Sequence, residues 1–135
     1  MEKVKAIIEM ASDGHYSIYM DDDSKDYLVT GTGKTVDEAM SIFLGGYEDI
    51  KRVRQEDGRP FEEVEFEFGY DMASFLAYFS KAFSLAGLSR ITGINQGQLS
   101  HYATGHSKPS RRTTEKIQQH VHHFADELRR VQFLD

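Results

Sequence analysis

The sequence predicts an α+β chain of two small domains: a strand-strand-strand-helix-strand unit with a small antiparallel sheet over residues 1–70, and an all-α unit over residues 71–135. Three observations lead there. Apolar and polar residues alternate at period two in stretches before residue 71, apolar residues recur at helical spacing after it, and charge is divided unevenly along the chain. Residues 1–83 hold nine Lys and Arg against eighteen Asp and Glu, whereas residues 84–135 hold seven against four, with five of the six histidines.

The formal net charge of −6 therefore averages a strongly acidic segment and a basic one. A basic segment is what phosphate contact requires, and an acidic partner domain limits non-specific association with nucleic acid. Hydrophobic residues make up 39% of the chain and aromatic residues 12%, enough for folded cores rather than a disordered polymer. The absence of cysteine excludes disulfide frameworks, thiolate zinc sites and cysteine nucleophiles. No apolar run approaches membrane-spanning length, and the charged start Met1–Lys5 is not followed by a signal-peptide core. A cytoplasmic protein that does not engage membrane is expected.

In the first unit, Val4, Ala6, Ile8 and Met10 alternate as a half-buried strand. Ser12, Asp13 and Gly14 supply turn chemistry, and Tyr16, Ile18 and Met20 resume the alternation, which predicts a hairpin. A polar loop, Asp21–Asp26, precedes a short strand candidate at Tyr27–Thr30. Val36, Ala39, Met40, Phe43, Tyr47 and Ile50 share one face of a helix over residues 36–54, with Thr35 as N-cap and Glu38 in capping-box position. Gly45 and Gly46 interrupt that helix at a cost of about 1 kcal/mol each relative to Ala, for which close packing on the sheet is the expected compensation. Val64, Phe66, Phe68 and Tyr70 alternate with Glu63, Glu65, Glu67 and Gly69 and give the clearest strand signal. One sheet face is expected beneath the helix and the other toward water.

Two segments, IIEMASDGHYSIYM and TGTGKTVDEAMSIF, resemble the N-terminal domain of HicB-type antitoxins. The resemblance implies a small, partial ribonuclease-H-like fold that often precedes a DNA-binding domain. The Asp21–Asp26 loop replaces the Pro-Asp-x-x-Gly segment usual in that family.

Two patterns in this unit imitate chemistry. Gly33-Lys34-Thr35 follows a strand and opens a helix, as the end of a phosphate-binding loop does, but the required first glycine would fall at position 28, which is Leu. The stretch reads as a strand end and a helix cap. Asp21, Asp22, Asp23 and Asp26 crowd one loop without the spacing of a calcium loop and read as solvated.

The second unit opens with Asp71 as a cap and Met72, Phe75, Leu76, Phe79 and Phe83 on one helical face. Leu85, Leu88 and Ile91 mark a short helix that stops at Gly93. Another starts after Asn95, turns Leu99 and Tyr102 inward, and stops at Gly105. Two short helices joined at a glycine-containing turn have the sequence shape of a helix-turn-helix, whose second helix enters the DNA major groove. Gly93 suits a helix end that needs positive φ, and Asn95 as N-cap leaves Gln96, Gly97 and Gln98 as an exposed first turn. Ser110 caps a final helix over residues 111–132, striped with Ile117, Val121, Phe124, Leu128 and Val131. The end of that stripe, with Phe133 and Leu134, is a candidate dimerisation or interdomain surface. His120 and His123 point differently from His122 on this helix, and no Cys or nearby acidic cluster completes a site, so no metal is expected.

Ser84–Ser110 resembles, nearly position for position, the helix-turn-helix of Xre/Cro-type phage repressors, which implies a lambda-repressor-like all-α domain. By that resemblance Gln96, Gly97, Gln98 and His101 face bases, with Ser100 beside them. Arg90, Asn95, Thr104, His106, Lys108, Arg111 and Arg112 then serve as phosphate contacts. Leu85 stands where many members carry a phosphate-contacting Gln. The chain is thus expected to be a sequence-specific transcriptional regulator binding double-stranded DNA as a homodimer or higher assembly, with no catalytic residues, metal or cofactor. The alternative is the antitoxin of a toxin–antitoxin pair, its N-terminal domain neutralising a small basic ribonuclease.

Overall fold

The computed structural model describes residues 1–11 and 13–134. It divides into two compact units, Met1–Ser74 and Phe75–Asp135. In the first unit the elements are β1 (Glu2–Met10), β2 (Tyr16–Met20), β3 (Thr30–Gly33), α1 (Val36–Glu56) and β4 (Val64–Tyr70). Their sheet has the order β3-β2-β1-β4.

β1 and β2 pair antiparallel with Ile8 opposite Ile18, and β3 continues antiparallel along β2. Of the expected hairpin turn, Ser12 lies outside the described residues; Gly14 has φ 84°, and Asp13 Oδ1 accepts from the His15 amide at 2.9 Å. β4 corrects the expected all-antiparallel sheet: it runs parallel to β1, from Glu2 opposite Val64 to Ile8 opposite Tyr70. Two reversals leave β3 aligned with β1, and α1 then returns the chain across one face. The strand after such a crossover restarts from the same end and must be parallel.

The third strand is also displaced from its expected position. Tyr27 and Val29 are buried, yet they belong to an extended connection, and β3 begins at Thr30. Its sequence Thr-Gly-Thr-Gly has poor strand propensity, but the strand passes directly beneath α1. A Cβ on Gly31 would lie 2.3 Å from the Ala39 carbonyl oxygen, and one on Gly33 2.8 Å from the Ala39 nitrogen. Only glycine fits at either position. The opposite holds for the helix glycines: a Cβ on Gly45 meets nothing within 4 Å, and one on Gly46 meets only Val29 Cγ1 at 3.8 Å. The close approach expected at Gly45 and Gly46 is made by the strand side instead.

Val4, Ala6, Ile8, Ile18, Met20 and Val64 form the buried sheet face, against which Ala39, Phe43 and Tyr47 of α1 pack. Phe43 meets Phe66 and Phe68 edge-on, at centroid distances of 4.8 and 5.5 Å. Thr35 caps α1 through its hydroxyl, which accepts from the Glu38 amide at 3.1 Å. Two clasps hold the connection between β2 and β3. Buried Arg54 donates from Nη1 to both carboxylate oxygens of Asp26, at 2.8 and 2.9 Å, and from Nη2 to its carbonyl at 3.0 Å. Lys25, with 5% of its side chain exposed, bridges Glu2 at 2.6 Å and Glu62 at 3.2 Å. The Arg54 hydrogen bonds hold the Asp26 carboxyl below its ordinary value of 3.8, and the bonds that Lys25 donates to Glu2 and Glu62 raise its own.

The helices of the remaining chain are α2 (Met72–Phe79), α3 (Leu85–Thr92), α4 (Gln96–Ala103) and α5 (Arg111–Arg129). Phe83 lies outside α2, contrary to the expected stripe, and its ring meets Phe124 at 5.9 Å. α5 ends at Arg129 rather than Gln132. Residues 125–130 are exposed, so no buried contact supports a further turn, and helix stability in proteins comes mainly from packing of the apolar face. Leu76, Leu88, Leu99, Tyr102 and Ile117 are buried and form the core here. Among the described residues, no helix is long and apolar enough to cross a membrane.

Candidate functional site

The α3–α4 pair is fixed by three local devices and one buried layer. Ser84 caps α3, its hydroxyl accepting from the Gly87 amide at 3.0 Å. Gly93 ends the helix with φ 73°, in the left-handed region that costs other residues roughly 1–2 kcal/mol. Thr92, 1% exposed, donates its hydroxyl to the Leu88 carbonyl at 2.7 Å and accepts from the Ile94 amide at 3.2 Å. Beneath the turn Leu88 and Leu99 are 2% and 0% exposed, so the angle between the helices is set by close-packed side chains rather than by a flexible link.

Asn95 Oδ1 caps α4 by accepting from the Gly97 and Gln98 amides, at 2.8 and 3.4 Å. Its side-chain amide donors remain for an outside acceptor. A Cβ on Gly97 would stand 3.0 Å from that Oδ1, so the bare backbone at this position suits the cap as well as close approach by a ligand. Gln96, Gly97, Gln98 and His101 are all exposed, while Ser100 is half-buried beside them. Gln side chains carry one acceptor and two donors each, the complement of an adenine edge in the major groove.

The loop after α4 turns at Gly105, φ 75°. His106 folds back so that its ring lies 4.7 Å from that of His101, centroid to centroid. Lys108 and Arg112 are exposed. Arg111 donates from Nε to Glu115 at 3.2 Å, leaving its terminal nitrogens outward, with 94% of the side chain exposed. Thr104 directs its hydroxyl toward the Ser100 and His101 carbonyls, at 3.1 and 3.3 Å. Arg90 lies over the start of α3, Nη2 standing 3.9 Å from where a Gly87 Cβ would be. Lys116, which the sequence did not single out, brings Nζ to 3.7 Å from the corresponding point on Gly93, a favourable place for a cation at the C-terminal end of α3. Its helical offset from Arg112 was the available signal.

The remaining sequence patterns take local structural roles. Asp22 accepts from the amide and hydroxyl of Ser24, at 2.8 and 2.6 Å, and these bonds lower its carboxyl. Asp22 lines an open depression of about 320 Å³ with Met20, Asp21, Asp23 and Leu28. His123 pairs with Glu127 at 3.0 Å, one turn along α5, and no group of three metal-ligating side chains converges among the described residues. Gly33 ends β3 and Thr35 caps α1, with no further glycine loop around them. No family model, curated protein or solved structure matches the chain.

Proposed function

We propose that the chain is a sequence-specific DNA-binding regulator in which α3 and α4 act as a helix-turn-helix of the Xre/Cro type and the first unit is a HicB-like sensor or interaction domain. The observation that carries this reading is the first turn of α4. Gln96, Gly97 and Gln98 stand exposed on a helix end whose direction is fixed by the Asn95 cap, the Gly93 turn and buried Leu88 and Leu99. A rigid scaffold that presents uncharged hydrogen-bonding side chains to solvent suits recognition of base edges, and the exposed cations Lys108, Arg111 and Arg112 suit the flanking phosphates. One eight-residue helix spans few base pairs, so the regulator binds as a homodimer to half-sites about 34 Å apart.

Selection of bound sites from random duplex DNA, with the protomer count taken by gel filtration, tests the reading. A near-palindromic consensus is expected, and failure to enrich any sequence rejects it. The acidic excess of residues 1–83 favours one second reading, an antitoxin whose first unit binds a small basic ribonuclease while DNA binding serves autoregulation. A neighbouring gene for such a toxin would distinguish the two.

A further inference from the structure

The contact between His101 and His106 gives the surface around α4 a property beyond sequence reading. We propose that these two histidines form a proton-accepting pair that strengthens DNA binding as pH falls. The inference rests on the DNA-binding reading and assigns regulation to that same surface.

Both residues are exposed, and their rings lie 4.7 Å apart at an interplanar angle of 52°. From Met72 to Thr114 the chain contains no Asp or Glu. The charged groups on the flanking elements are Lys108 on the same loop, Arg111 and Arg112 at the start of α5, Arg90 on α3, and Lys116 beside Gly93. Glu115, the first carboxylate beyond this segment, is bonded to Arg111 Nε at 3.2 Å. Negative charge facing the two rings must therefore come from the ligand.

A DNA backbone supplies it. Phosphates beside the loop after α4 accept hydrogen bonds from the His106 ring and bring negative charge close to the base-facing His101 ring that it touches. Binding then draws protons from solution, and by linkage affinity rises as pH falls, by up to about tenfold per pH unit for each proton taken up. Histidine is suited to this because its charge changes between pH 5 and 8.

The test uses the full chain and the duplex recovered by site selection. Affinity is measured by fluorescence anisotropy from pH 5.5 to 8.0 at constant ionic strength, with EDTA present so that a metal bridging the two rings does not contribute. The expected result is tightening toward low pH in the wild type and in a variant with His120, His122 and His123 replaced by Gln, and a flattened pH dependence in H101Q/H106Q. Calorimetry of the wild type in buffers of different ionisation heat measures proton uptake directly and needs no variant. Equal pH dependence in H101Q/H106Q, a wild-type affinity that does not change with pH, or zero proton uptake at pH 6.5 each overturns the pair. Failure to recover any duplex overturns the DNA-binding reading itself, and the two failures are thereby told apart.

Discussion

In the proposed reading, recognition turns on Gln96 and Gln98. If each side chain makes a bidentate contact to a base, Gln96→Ala and Gln98→Ala each weaken binding by about 1–3 kcal/mol and relax preference at one position of the site, measured by competition with single-base variants of the selected duplex. Unchanged affinity in both would remove α4 as the reading helix. Asp26 makes a different prediction, about stability. Its carboxyl is held below 3.8 by hydrogen bonds from Arg54, so the folded state binds its proton less readily than the unfolded state. That contribution is complete above pH 3.8 and fades as pH falls through the depressed value. Asp26→Asn is accordingly expected to lower the urea midpoint of unfolding at pH 7, with the gap to wild type narrowing at pH 3. The residues legible in the sequence were those whose partners are near in the chain: the caps Thr35, Ser84, Asn95 and Ser110 each bond an amide within three residues. Arg54 and Lys25 were not legible, because their partners Asp26 and Glu2 lie far away in the chain and no local pattern announces them.

At the scale of elements, periodicity located helices and strands better than it placed their ends or directions. α1, α3 and α4 followed from apolar spacing and caps, but α5 stopped short because spacing continues past the point where burial does. The parallel course of β4 is implicit in the crossover, whereas alternation alone carries no strand direction. β3 lies where propensity does not place it for a physical reason: strand propensity rewards side chains that pack on a pleated surface, and this strand has room for none on the face beneath α1. Gly31→Ala is therefore expected to destabilise the first unit by at least about 1–3 kcal/mol, since the added carbon meets backbone that cannot rotate away. Gly45→Ala, in open space on α1, is expected to stabilise by about 0.5–1 kcal/mol. Thermal unfolding of the two variants side by side reads both signs.

For the whole molecule, charge and exposed apolar surface set assembly and salt response. Lys108→Ala and Arg112→Ala should lower affinity for all duplexes alike, each reducing the slope of log affinity against log salt by about 0.9. Beyond Phe124, Leu128, Val131, Phe133 and Leu134 are exposed at 60%, 54%, 91% and 97%, and the proposed homodimer gives these side chains a second copy to bury against. Leu128→Glu with Val131→Glu should then shift gel filtration from dimer to monomer and weaken binding to the full palindrome more than to a half-site. A dimer that survives both changes would place the interface elsewhere.

The parallel pairing of β1 with β4 has a consequence for the order in which the chain becomes native. Glu2 finds its partner only at Val64, after the hairpin, β3 and the whole of α1. Long-range pairing of this kind closes a large loop before any contact rewards it and slows folding, whereas neighbouring short helices form contacts between residues close in sequence. As the chain leaves the ribosome, β1 must wait with one edge open until β4 has emerged. The helices made after β4 form their own contacts soon after they appear. The helical unit, though it follows the sheet in the chain, is thus the quicker to fold, and the unit proposed to govern binding completes itself by the slower route.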